Sequence, residues 1–438
     1  MRNLIAAVRH RWQATMGYQW RAALSAFYLA DGVPRRNARA CIADGAFFGL
    51  ATGLTVPFLG PFVIALGGSD LQVGLVTAAP ALAGLLGQLP AIYLTERSRT
   101  RTPVVVAYAL VHRLFYLLFA ALPFLVTYPR AWLLVLGLGL ATVPFTISNT
   151  AWTTLMGEMF PGGARAQLFA DRNMWAALAT LAGTAVAGPL LDLLAPPWNW
   201  CLLFLLAFSA YMASYVYLAR LREEPPPALR GRRSVFALGD VGRDRNFMSF
   251  LLPMAVFYAG LQFAVPMYPI IYVRKLGLAN SWIAGFSIIS GVCSVLAYRY
   301  WGRVSDRRGS RFVFAWATGV HIVFPLAYAV AGSAYPILWW SVVGGVFGAA
   351  LNLSLFNLLL DLSPAAERPR YVALYNLVVN GTTLVGPLLG VLAYRAWGLY
   401  VAMGISTLGR MLGVAWLLWS ARTPVSSSLR SARRDLPA

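Results

Sequence analysis

Two stretches far apart in the chain carry the same ionisable groups at the same spacing. Residues 149–173 read NTAWTTLMGEMFPGGARAQLFADRN, and residues 352–376 read NLSLFNLLLDLSPAAERPRYVALYN. At an offset of 203, Asn149 falls on Asn352, Glu158 on Asp361, Pro161 on Pro364, Arg165 on Arg368 and Asn173 on Asn376. Acids and arginines so placed offer salt bridges, which can form and break. Catalysis would need more: a His/acid cluster, a nucleophile or a metal set gathered on one side. The chain has only His10, His112 and His321, and its cysteines are Cys41, Cys201 and Cys293. It contains no CxxC, HExxH, P-loop or GxSxG pattern. Neither an enzyme nor a metal or cofactor site is expected.

A second charged knot, WGRVSDRRGSRF (301–312), holds four arginines and Asp306 between nearly uncharged flanks. It repeats as well: E-R-S-R-T-R (96–101) aligns with D-R-R-G-S-R (306–311). Further on, GTAVAGPLL (183–191) matches GTTLVGPLL (381–389).

The elements that must hold these groups are apolar. The composition is 59% hydrophobic and 12% charged, against about 25% charged in soluble proteins. A bilayer core about 30 Å thick needs about 20 apolar residues of helix. Such runs occur near 43–66, 71–94, 103–127, 131–156, 168–194 and 198–219, and again near 247–272, 282–301, 312–332, 334–360, 371–394 and 398–420. They lack period-two alternation, so strands are not expected. The expected fold is an all-α membrane protein, with twelve transmembrane helices in two pseudo-symmetric six-helix bundles. The net charge of +21 sits between apolar runs rather than along one polar face, which excludes a nucleic-acid partner. With the N-terminus cytoplasmic, 30 of the 36 Lys and Arg fall on the cytoplasmic side and only Arg130, Arg274, Lys275 and Arg395 opposite. Both termini are therefore expected in the cytoplasm, in a multi-pass inner-membrane protein.

The expected divisions are a basic amphipathic arm (1–38), a first bundle (39–221), a Pro-rich cytoplasmic linker (222–246), a second bundle (247–421) and a basic tail (422–438). Gly45, Gly49 and Gly53 recur every four residues, a face for close helix packing. Gly188-Pro189 and Gly386-Pro387 predict kinks.

G-R-V-S-D-R-R-G-S-R (302–311) resembles the loop motif of the major facilitator superfamily, roughly G-x-L-A-D-R-x-G-R-K. With twelve helices and the repeat, the resemblance covers nearly the whole chain. The copy between helices 2 and 3, PAIYLTERSRTR (90–101), lacks the glycines. The Gly-Pro of helix 5 loosely resembles the family's antiporter motif. The resemblance implies a secondary transporter working by alternating access, a monomer in the lipid bilayer, with a small-molecule substrate and protons or another ion for coupling. The reading leans toward efflux of amphipathic or hydrophobic compounds. Metabolite uptake, or a non-transporting receptor or scaffold of the same fold, stays open beside it.

The resemblance also implies a cytoplasmic gate. Asp306, with Arg307 and Arg311, would face the start of helix 5 near Arg172. Glu96, with Arg97, would face the start of helix 11 near Arg370. The pairs Glu158/Arg165 and Asp361/Arg368 would share that layer. Helices 1, 4, 7 and 10 would line a central cavity, which offers Thr52, Thr55, Thr146, Asn149, Tyr258, Gln262, Tyr268, Asn352 and Asn357 as substrate contacts. Asp44, near the cytoplasmic end of helix 1, is the candidate for proton coupling. His112, Arg113 and His321 lie on helices 3 and 9, peripheral in the family, so packing or snorkelling is their expected role. An Arg113 that faced the cavity would point to an anionic substrate.

Overall fold

The computed structural model describes residues 33–125, 129–160, 162–223, 241–364 and 367–420, without the side chains of 33, 34, 162–167, 368, 369 and 420. Most of the amphipathic arm, most of the linker and the basic tail lie outside the described residues; residues 33–38 open the first helix.

The apolar runs are helices, because in a bilayer each backbone polar group must be satisfied within its own segment. In the first half these are α1 (Arg35–Ala65), α2 (Asp70–Arg97), α3 (Thr102–Phe124), α4 (Arg130–Met159), α5 (Gly162–Leu193) and α6 (Trp198–Ala219). The second half holds α7 (Arg245–Lys275), α8 (Asn280–Arg308), α9 (Ser310–Ala329) and α10 (Ala334–Asp361). The stretch Arg368–Ser420 turns at Gly398, whose φ of 81° suits glycine alone, and its two arms are α11 and α12. Twelve helices in two bundles result, with no strand among the described residues.

Two helix starts are capped by carboxylates. Asp244 accepts from the backbone N–H groups of Asn246 and Phe247 to start α7. Glu223, reached only after α6 returns, accepts from the N–H groups of Arg101 (2.7 Å) and Thr102 (2.8 Å) to start α3. The glycine face of α1 packs on α5: Gly49 and Gly53 lie against the backbone of Ala176 and Thr180. The hydroxyl of Thr180 donates to Gly49 O (3.0 Å) and that of Thr184 to Gly53 O (2.9 Å). Both Gly-Pro pairs stay inside continuous helix. Their glycines serve close approach: Gly188 backs onto Ser281 and Ala284 of α8, and Gly386 onto Gln262 and Phe263 of α7.

The turns at 98–101 and 309 mark what we call the basic end of the molecule; those at 66–69, 194–197 and 276–279 mark the neutral end. The core differs between them. At the neutral end one buried cluster spans both halves, joining Phe58, Phe62 and Val73 to Met267, Ile283 and Val391. At the basic end the clusters are separate. Cys41, Val105 and Leu155 belong to a cluster of the first half alone, and Phe250, Trp301 and Leu355 to one of the second.

Candidate functional site

Five helices of the first half converge on Asp44. Its side chain, 3% exposed on α1, accepts from the Ser214 hydroxyl of α6 at 2.6 Å. Arg172 of α5 donates to its other oxygen at 3.4 Å. Gly45 makes room for that arginine, since a Cβ there would come within 2.6 Å of Arg172 Cγ. Arg113 of α3, also 3% exposed, donates to Ser214 at 2.8 Å. Ser214 thus links the second arginine to the same carboxylate. Trp152 of α4 lies under the Arg172 guanidinium, 4.4 Å from ring centre to Cζ. Asp44, Arg113, Arg172 and Trp152 line a cavity of about 170 Å³, with Phe48, His112, Phe145 and Asn149 completing much of its wall. A larger hollow, about 590 Å³ between α9 and α10, is lined by Trp316, Val320, Trp340 and other side chains without charge.

His112 and Arg113, expected to pack or to snorkel, are packed inside the first half and also line this cavity. α3 turns Val105, Ala109, Arg113, Tyr116 and Ala120 inward, while Val111, Leu114, Leu117 and Leu118 are exposed. Small and polar residues recur on one face of the run and branched apolar ones on the other. In the second half, Arg410 is buried against protein, donating to the His321 carbonyl (2.6 Å) and the Tyr268 hydroxyl (3.4 Å).

The expected cavity residues do not form one group. Asn149 lines the Asp44 cavity; Asn149 and Asn352 are exposed. Thr52, Thr55 and Thr146 return their hydroxyls to carbonyls one turn back on their own helices. Gln262 donates to Thr383 of α11. Tyr258 is half-buried. Asn357 reaches Ser305 of α8 at 3.4 Å, beside the charged knot rather than in a central cavity.

The expected gate contacts are open in this conformation. Asp306 and Glu96 are exposed and make no hydrogen bond or ion pair among the described residues. Arg97 bonds Tyr93 on its own helix, Arg307 and Arg311 are exposed, and Arg172 is engaged with Asp44. Glu158 pairs with Arg101 at 3.7 Å. The side chains of Arg165 and Arg368 lie outside the described residues, and Asp361 is exposed. This agrees with the split core: at the basic end each half has its own buried cluster, and no shared cluster carries these acids to helix starts of the other half. At the neutral end that kind of contact is made. Asp192, ending α5, accepts from the N–H and side chain of Asn280 (2.8 and 3.0 Å) and of Ser281 (2.7 and 2.6 Å), at the start of α8. Arg274 of α7 pairs with Asp70 of α2 and donates to Gly68 O at 2.6 Å.

Known proteins share this architecture. A bacterial homolog to human lysosomal transporter Spinster, in inward-facing and occupied conformation, superposes with a TM-score of 0.70 at 15% identity, covering 91% of this chain and 100% of that one. A mutant of nucleoside transporter NupG gives 0.71 at 12% identity, covering 88% and 99%. In sequence, Quinolone resistance protein NorA of Staphylococcus aureus (strain Mu50 / ATCC 700699) is 20% identical over 147 residues, 33% of this chain and 38% of that protein. Multidrug export protein EmrB of Escherichia coli (strain K12) is 25% identical over 201 residues, 45% of this chain and 38% of that protein. The alignments thus span under two-fifths of either curated relative. A family model described as Major Facilitator Superfamily matches residues 45–340 and 292–438. With the repeat, the charged knot and two bundles joined at one end, this match means that the chain belongs to the Major Facilitator Superfamily.

Proposed function

We propose that this protein is a secondary active transporter that carries a small molecule across the membrane by alternating access, exporting amphipathic compounds. The observation that carries the reading is the core: shared by both halves at the neutral end and divided at the basic end. A molecule so joined can rock about its middle and exchange one closed end for the other. The contacts at the closed end suit a reversible joint. Asp192 on a helix N-terminus is worth about 0.3–1 kcal/mol by its charge, and a partly exposed pair such as Asp70–Arg274 about 0–1 kcal/mol. Export is favoured by the similarity to NorA and EmrB, whose names are those of a resistance and an export protein.

In this reading the basic end is cytoplasmic, since 30 of 36 Lys and Arg fall on its side. The membrane is the inner membrane, and Asp44 takes the coupling proton. A proton there would release Arg172 toward the gap, where Asp306 faces it once the halves close.

Paired cysteines test the cycle, in a background with Cys41, Cys201 and Cys293 replaced by alanine. Asp70→Cys with Arg274→Cys should cross-link in the conformation described. Glu96→Cys with Arg370→Cys should cross-link only in the opposite one. A transporter yields both products, and locking either pair stops transport in proteoliposomes. A chain that forms only the first under all conditions is a scaffold, and the proposal fails.

A further inference from the structure

The buried polar side-chain atoms of the Asp44 cavity that lack a partner are all donors. Among the described residues, Arg113 Nε, Arg172 Nε and Trp152 Nε1 are buried and have no hydrogen-bond partner. Each is a donor, and they come from α3, α5 and α4. Buried polar groups are normally paired, so each orphan calls for an explanation. The charges are unbalanced in the same direction. One carboxylate, Asp44, faces two guanidiniums, directly at Arg172 and through Ser214 at Arg113. The cluster keeps one net positive charge inside an apolar bundle, which is costly unless a partner neutralises it. The space is bounded as well. About 170 Å³ is below the roughly 300–1,000 Å³ of pockets that hold drug-sized ligands. It fits a small anion, or the anionic head of a longer molecule whose body passes Asn149, the exposed residue of the wall. Phe48, His112 and Phe145 supply flat faces for a ring.

We infer that this cavity is a binding site for an organic anion of the carboxylate type, held by the unpaired donors of Arg113, Arg172 and Trp152. The inference rests on the transporter reading for its physiological meaning: the cargo is then an amphipathic anion. The binding chemistry itself does not depend on that reading. Charge-assisted hydrogen bonds from the guanidiniums are stronger than neutral ones, which gives the site its preference over neutral molecules. Asp44 competes for the same positive charges. Removing its charge should therefore tighten anion binding, the opposite of what loss of a structural ion pair would do.

The test uses the full-length protein in phosphatidylcholine nanodiscs, with benzoate, benzamide and benzylamine as probes. These share one ring and carry negative, neutral and positive groups. Benzoate is expected to bind saturably by calorimetry and the other two not. Asp44→Asn should strengthen benzoate binding at least about tenfold, and Arg113→Gln should weaken it at least about tenfold. Should Arg113→Gln fail to fold, Trp152→Phe serves: it keeps the ring under Arg172, loses one donor, and should weaken benzoate several-fold. Equal binding of the three probes, or no benzoate binding in either the wild type or Asp44→Asn, overturns the inference. Phosphatidylglycerol added to the nanodiscs should leave benzoate affinity unchanged; competition by it would assign the donors to a lipid head and overturn the cargo assignment. The cysteine pairs separate the two proposals. Lost benzoate binding with intact exchange of cross-links sinks only the anion site. Benzoate binding without exchange upholds the anion site and sinks the transport reading.

Discussion

Asp192 and Asp306 are the same residue type at opposite ends of the α5–α8 seam, and only one of them is engaged. Asp192 accepts four hydrogen bonds from Asn280 and Ser281, whereas Asp306 is exposed. Their substitutions should therefore act in opposite directions. Asp192→Ala is expected to open the neutral end by about 1 kcal/mol, roughly a fivefold change in the ratio of the two states. Asp306→Asn should leave the stability of this conformation within about 0.5 kcal/mol, yet disfavour closure at the basic end. Distances between fluorophores at positions 96 and 370 would report both. Equal and parallel shifts from the two variants would show that neither acid is a state-specific contact. A residue of this kind is hard to rank from sequence, because its energy depends on which conformation supplies the partner.

Helices approach closely where side chains are absent, and this gives a contrast between two glycines. A Cβ on Gly49 would meet the carbonyl of Ala176 on α5, with backbone on both sides and nothing to yield. Gly49→Ala is expected to destabilise the first half by about 1–3 kcal/mol and to lower its melting temperature. Gly348, in α10, has nothing within 4 Å of a built Cβ. Gly348→Ala should be neutral or stabilise by up to about 1 kcal/mol, the helix propensity gained. Thermal melts in one detergent decide between them; a Gly49→Ala protein as stable as wild type would mean that α1 and α5 do not pack at this distance in the membrane. The i, i+4, i+8 glycines announced a packing face, but their partner helix was named only when Thr180 and Thr184 were found bonded to Gly49 and Gly53.

At the scale of the whole molecule, orientation and closure are separate questions. Orientation rests on the asymmetry of Lys and Arg, and Arg99→Cys tests it. In a background without Cys41, Cys201 and Cys293, a membrane-impermeant maleimide should label that cysteine in inverted vesicles and not in intact cells. Labelling of intact cells would reverse the assignment. Closure rests on which end has the shared core. Two such states must differ by only a few kcal/mol if one protein is to visit both.

The sequence by itself determined the helices, their number, the repeat and the uneven charge of the two ends. Each of these follows from run length or from counts along one dimension: a bilayer sets how long an apolar helix must be, and the cost of moving arginine across it sorts the loops. Only the tertiary structure decided the rotation of each helix about its axis. That rotation made Arg113, expected to pack or to snorkel, a wall of the cavity as well, and joined Asp44 to Arg172 and Ser214 across three helices. Residues 128 and 170 positions apart meet because five helices bury one face each. No local pattern records which faces meet. The tertiary structure also decided that the neutral end is the closed one, since the repeat relates the two halves and not the two ends, and a few weak contacts separate the two states.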